Sequence, residues 1–419
     1  MLHSDSRTGR RGSVLLQRNH VSPLADRLAE ADLRCLREEV RASRLVLPPA
    51  LAEGRATARR AERRCDVLRD SRGSGVSFDQ NRKRGRKARV NDPVPLPLIP
   101  RAAIAALEAH LVTHVIGGAH LVRGLLIALL ADGHVLIDGP PGLAKTRVVT
   151  ALAEAIEATF RRVALGPGQR MSHLFGAEAS VASLQGAHDR QPDPVFANIL
   201  LAEGVDGAAP EVRLALLDAM TERQVMVGGV MIRLPDVFLV CATRTLIHTP
   251  PTAELLGLNE RDRFLLHLRV DYPDEAHERR MLDLIRTEDA PATRRAATMK
   301  PLPLTTLLAA RAGVQAVRTG PRSLRWITAL VAATRGGRPT RTGPARWIRA
   351  GAGPRGSIAL ERCARAHAWL SARQQVTARD IIAVAHDVLR HRLDLVDAAK
   401  EADITPDSVI TDLLVVTRP

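Results

Sequence analysis

The stretch His134-Val135-Leu136-Ile137-Asp138 runs without a break into Gly139-Pro140-Pro141-Gly142-Leu143-Ala144-Lys145-Thr146, and a helical pattern follows from Lys145 to Ala158. This order, apolar strand then glycine-rich turn then helix, is what a phosphate-binding loop requires. The glycines permit a tight turn, and the backbone N–H groups of the turn and of the helix N-terminus face an anion. In such a loop Lys145 reaches the β- and γ-phosphates of a nucleotide and Thr146 ligates magnesium. Against G-x-x-x-x-G-K-[ST] the only departure is Ala144 at the last glycine. The chain has five lysines among 61 basic residues, and one of them falls where the loop demands lysine.

Around this loop, strand and helix patterns alternate. Helices are expected over 101–112 and 119–131. Further apolar strands are expected at Phe160–Leu165, Ile199–Glu203, Val237–Thr243 and Phe264–Val270, an alternation that implies a parallel, doubly wound sheet. From about Asp274 the pattern turns helical throughout, interrupted by Pro-, Gly- and Arg-rich breaks at 319–322 and 336–344. At 419 residues the chain has room for several cores. Aromatics make up only 2% of it, so those cores must come from Leu, Val, Ile and Ala. Cys35, Cys65, Cys241 and Cys363 lie far apart without metal-ligand spacing and read as free thiols.

The net charge of +16 favours acidic partners. Residues 1–100 hold 22 Lys/Arg against 12 Asp/Glu, so about +10 of that charge sits there, densest at Asn81–Arg89. A nucleic-acid-binding tail is one reading of this run. A solvated extension, disordered or partly helical, is favoured because no aromatic residues interleave the charges to stack bases. No run approaches the ~20 apolar residues of a membrane span, and the N-terminus lacks the apolar region of a signal peptide. A cytoplasmic protein is expected.

Beyond the loop, the chain carries Pro194-Val195-Phe196-Ala197-Asn198-Ile199-Leu200-Leu201-Ala202 and Leu216-Leu217-Asp218-Ala219-Met220-Thr221-Glu222-Arg223-Gln224-Val225. It also carries Asp262-Arg263-Phe264, Tyr272-Pro273 and Gly351-Ala352-Gly353-Pro354-Arg355. With these, residues 100 to about 395 resemble the MoxR family of AAA+ ATPases, in which Ala144 is itself usual. The resemblance implies an α/β P-loop AAA+ core with a parallel five-stranded sheet, followed by an all-helical lid. The expected division is an extension and linker over 1–95, the nucleotide-binding core over 100–285, the lid over 300–395 and a tail over 396–419.

The same resemblance implies ATP and Mg2+ as ligands, held by Gly139 through Thr146, with Thr146 and Glu203 toward the metal. It implies a ring, usually of six, in which Arg263 acts as the arginine finger on a neighbour's nucleotide and Arg355 as the sensor 2 arginine. Members are thought to remodel or mature partner enzymes, often beside a protein with a von Willebrand factor A domain. A nucleic-acid-associated regulator, a hydrolysis-dead assembly subunit and, less well matched, a chelatase-type motor are the alternatives.

Two positions break the pattern. After Ile199-Leu200-Leu201-Ala202 the family has Asp-Glu, an acid for magnesium and an acid for water; here the pair is Glu203-Gly204. After Val240-Cys241-Ala242-Thr243 the family places an amide; this chain has Arg244-Thr245, and Thr245 is a weaker donor. Asp206, two residues past Gly204, is off the usual spacing and is not expected to replace the base. Binding intact with hydrolysis weakened is the expectation, since such groups contribute about 10²–10⁴-fold in rate.

Overall fold

The computed structural model describes residues 100–418, apart from 116, 144, 167, 176–193, 228, 245–255, 290–298 and 336–342. The basic run at 81–89, the whole 1–95 extension and Thr245 therefore lie outside the described residues, as does Ala144.

Five strands form one parallel sheet: β1 (Val135–Asp138), β2 (Phe160–Ala164), β3 (Ile199–Glu203), β6 (Leu239–Arg244) and β7 (Leu266–Arg269), in the order β2-β3-β6-β1-β7. The three central strands are apolar on both faces because both faces are covered. Their alternation decides which face each side chain serves. Val135, Ile137, Ile199, Leu201, Leu239 and Cys241 enter one core, with helices α1 (Pro100–His114), α2 (Ala119–Leu130) and α3 (Lys145–Glu154). Leu136, Leu200, Ala202, Val240 and Ala242 enter the other, with α4 (Pro210–Glu222). Both cores are aliphatic, as the composition requires; only Phe238 and Phe264 among the largest fully buried side chains are aromatic. Cys241 and Cys363 are free and buried, and burial alone pushes the Cys241 thiol up to about 12.

Two departures from the expected pattern concern short strands. A hairpin, β4 (Gln224–Val227) with β5 (Val230–Arg233), stands between α4 and β6, in a stretch read only as a motif. The lid is not all-helical: β8 (Ile348–Ala350) pairs antiparallel with β9 (Asp394–Leu395). Strands of two or three residues carry too little period-2 pattern to be read from sequence.

The lid helices are α5 (Leu304–Gln315), α6 (Pro321–Thr334), α7 (Pro354–Leu370), α8 (Ala378–Leu389) and α9 (Pro406–Val416). Three of them open with proline in the first turn, where a missing N–H is not needed. Residues 396–419, set apart as a tail above, include α9, whose Val409, Ile410, Leu413 and Leu414 are buried in the same core as the rest of the lid.

The lid meets the sheet along β7, an edge strand whose outer backbone groups need partners. The consecutive residues Arg390, His391 and Arg392 supply them. Arg390 Nη1 donates to the His267 carbonyl (2.5 Å), and Arg392 Nη2 donates to that of Phe264 (2.7 Å). His391 Nε2 is 3.0 Å from the same Phe264 oxygen. All three side chains are buried, and Asp387, Asp407 and Asp262 balance the arginines.

Candidate nucleotide site

Strand β1 ends at Asp138, and the chain turns through Gly139 to Gly142 before α3 begins at Lys145. Glycine is required at 139, where a Cβ would stand 2.6 Å from the Val270 carbonyl oxygen. Gly142 takes φ +80°, which side-chain-bearing residues rarely adopt, and nothing lies within 4 Å of where its Cβ would be. The result is an open turn at a helix N-terminus, the form an anion fits. Lys145 Nζ folds back and donates to the Gly139 (2.5 Å) and Pro140 (2.7 Å) carbonyls of that turn. Burial lowers the pKa of this ammonium, while Asp138 and Glu203 favour its charged form.

Glu203, at the end of β3, meets the loop. Its Oε1 accepts from the Thr146 hydroxyl at 2.5 Å, and its Oε2 accepts from Arg162 Nε at 2.8 Å. A hydroxyl and a carboxylate oxygen side by side are the hard oxygen donors magnesium takes. The structure thus joins Lys145 and Thr146 of the loop to Glu203, read from a second place in the sequence.

At the next residue the chain changes course. Gly204 N donates to the Thr243 carbonyl (3.0 Å), extending the β3–β6 ladder by one bond, and then adopts φ 70°, ψ 41°. A Cβ there would be strained by the backbone angle and would meet the Leu165 carbonyl oxygen at 3.0 Å. Gly207 N returns to the Gly204 carbonyl (2.9 Å), closing a one-turn helix over Val205–Gly207 with Val205 fully buried and Asp206 half-buried. Burial pushes the Asp206 carboxyl up; its own backbone N–H and Arg244 pull it down, and Asp138 raises it again.

Arg244 ends β6 and turns onto Asp138, its register partner in β1. Its Nε donates to Asp138 Oδ1 at 2.7 Å and its Nη2 to Oδ2, while His267 Nε2 stands 2.6 Å from that second oxygen. Burial opposes ionisation of Asp138, but the hydrogen bonds from His267 and Arg244 outweigh it and hold the carboxyl well below the usual range. Burial lowers the pKa of His267, so it is the neutral ring that donates to the carboxylate and the arginine that carries the charge. Sequence reasoning missed this triad, whose arginine and histidine each lie more than a hundred residues from Asp138.

Beside the loop lies a cleft of about 530 Å³ lined by Gly117, Gly118, Leu143, Tyr272, Pro273 and His277 among others. Its size suits a small ligand. It too escaped the sequence reading, although Tyr272-Pro273 had been noticed.

Arg263 and Arg355 stand elsewhere. Arg263 Nη1 donates to Asp218 of α4 (2.5 Å), and Arg355 Nη1 is 3.5 Å from Asp262, which Arg392 also holds (2.9 Å). Arg263 precedes the start of β7, whereas Asp138 is level with Arg269 at its end. Residues 262–265 form a turn and bend ahead of the strand, and the three steps from Leu266 to Arg269, at about 3.3 Å each, put roughly 10 Å between the two ends of β7. The two arginines share the N-terminal edge of the sheet; the phosphate loop is on the C-terminal edge.

Comparison with known proteins agrees with this geometry. The ATPase family associated with various cellular activities (AAA) matches residues 134–266, and the AAA lid domain matches residues 341–413. Chaperone MoxR1 of Mycobacterium tuberculosis is 33% identical over 301 residues, 72% of this chain and 78% of that protein. Protein MoxR of Methylorubrum extorquens is 29% identical over 332 residues, 74% of this chain and 93% of that protein. Among solved structures, that of a candidate ATPase from Cytophaga hutchinsonii superposes with a TM-score of 0.66 at 29% identity, covering 75% of this chain and 94% of that one.

Proposed function

Because the chain belongs to the MoxR family of AAA+ ATPases, we propose that it binds ATP with magnesium and works as a chaperone-like remodeller or maturation factor, with slow hydrolysis. The observation that carries this reading is the meeting of Lys145, Thr146 and Glu203 at an open glycine turn. On binding, Lys145 exchanges the two loop carbonyls for phosphate oxygens. Thr146 and Glu203 would hold the metal, which would supply charge neutralisation at the phosphates. The cleft at Gly117 and Tyr272 takes the base. Gly204 supplies no carboxylate at the position where the family carries its base, and slow turnover is the expectation.

Arg263 is held on Asp218 ahead of β7, at the opposite edge of the sheet from the loop of its own chain. Its role as a finger therefore requires a second copy, consistent with a ring of six; Arg355, held on Asp262, belongs to the same face. A client enzyme and a von Willebrand factor A domain protein are the partners this reading expects, in the cytoplasm. Titration calorimetry with ATP, with and without magnesium, tests it. Magnesium-dependent micromolar binding supports the reading, and absence of binding overturns it. Fast steady-state turnover would remove the slow-hydrolysis part alone.

A further inference from the structure

We propose that Asp206 is the carboxylate that takes the proton from the attacking water during ATP hydrolysis, in place of the side chain that Gly204 lacks. This rests on the ATP-binding reading above and deepens it.

The turn after β3 makes the assignment possible. Counted along the sequence, Asp206 is two residues too late for the task. In the fold, Gly204 keeps its place beside β6 through the bond to the Thr243 carbonyl, and its left-handed backbone ends the strand there. The Gly207–Gly204 bond closes the turn, and the fully buried Val205 anchors it, so Asp206 is held within one turn of the C-terminal end of β3. There its half-buried carboxylate is coupled electrostatically to Arg244 and Asp138, the residues that end β6 and β1 directly before the phosphate loop. Arg244 is committed to Asp138 by two N–H groups, which leaves Asp206 a carboxylate beside a fixed cation, not a partner of a bidentate pair.

The same turn excludes the usual solution. A glutamate at 204 would need a left-handed backbone and would press its Cβ against the Leu165 carbonyl. An acid at 204 and this turn are alternatives, and the chain has taken the turn. In the step assigned, the water oxygen forms a bond to the γ-phosphorus and its proton passes to Asp206. The bond from that phosphorus to the β,γ-bridging oxygen breaks, and its electron pair leaves on ADP.

The test uses the full chain with Asp206→Asn, and Asp206→Ser in case the first fails to fold. Three quantities are read: affinity for a fluorescent ATP analogue, magnesium-dependent turnover, and retention of ADP with aluminium fluoride, which mimics the transferring phosphoryl group. The expected result is affinity within about threefold of the unaltered protein, turnover lower by about 10²-fold or more, and loss of ADP–fluoride retention. Unchanged turnover in a folded variant overturns the assignment. So does an unaltered protein that binds ATP yet neither turns it over nor retains ADP–fluoride. Failure of the unaltered protein to bind ATP at all overturns the nucleotide reading beneath it as well.

Discussion

Two halves of one edge of the sheet have diverged. The half built from the β1 turn, the start of α3 and the end of β3 keeps what holding a triphosphate needs: an open glycine turn, Lys145, Thr146 and Glu203. The half built from the turn after β3 and the end of β6 has been rebuilt around Gly204, Asp206 and the Arg244–Asp138–His267 cluster. On the proposed function, the comparison makes binding and turnover separable on this scaffold. The first depends on backbone shape and one cation, which tolerate neighbours changing. The second depends on one carboxylate placed to within a fraction of an ångström.

The rebuilt half should be the more fragile. Arg244→Ala leaves Asp138 buried with only His267 to support it, and breaking a buried pair this way costs about 3–5 kcal/mol. Chemical denaturation measures it; a loss under 1 kcal/mol would mean that the cluster is not structural. Lys145→Ala tests the half that carries the glycine turn. Loss of charge-assisted bonds worth about 1.5–3 kcal/mol should weaken ATP binding roughly 10- to 100-fold, with little change in melting temperature. Equal affinity in the calorimeter would break the comparison.

Gly204→Glu sharpens it. The variant should lose about 1–2 kcal/mol of stability from the left-handed backbone and gain no turnover. A tenfold rise in rate would return the base to position 204. The smallest effect expected lies beneath both halves. His134, just before β1, donates through Nε2 to the Met220 carbonyl and accepts at Nδ1 from the Val240 N–H. Burial lowers its pKa to about 3. Its protonation therefore favours the unfolded chain: the stabilisation is complete above pH 6.5 and is lost as pH falls toward 3. Between pH 6 and 5 the loss should approach about 1.4 kcal/mol per unit, and His134→Gln should flatten that slope in denaturation curves.

Much of this was legible in the residues. The five-stranded parallel sheet and the loop at its edge follow from apolar runs of strand length placed around a glycine turn. Gly204 was also legible as a missing carboxylate. What could not be read was its backbone: a left-handed glycine and an extended one share a letter, and only the bonds to Thr243 and Gly207 distinguish them. Asp206 was set aside on spacing for that reason. The Arg244–Asp138–His267 cluster and the cleft at Gly117 and Tyr272 are assembled across distances at which sequence carries no pairing information. The short β8–β9 pair, three residues against two, offers no periodicity to detect.

The seal that Arg390, His391 and Arg392 make along β7 has a mechanical consequence. A hinge that lifted the lid off this strand would take their donors from the carbonyls of Phe264, Leu265 and His267 and from the carboxylate of Asp262, at about 0.5–1.5 kcal/mol for each bond exchanged for water. Bending at that seam is therefore costly. Strand and lid behave as one lever, and Asp262 couples its fulcrum to both Arg263 and Arg355. A pull on Arg355 is thereby passed through Asp262 to Arg392 and the strand beneath it.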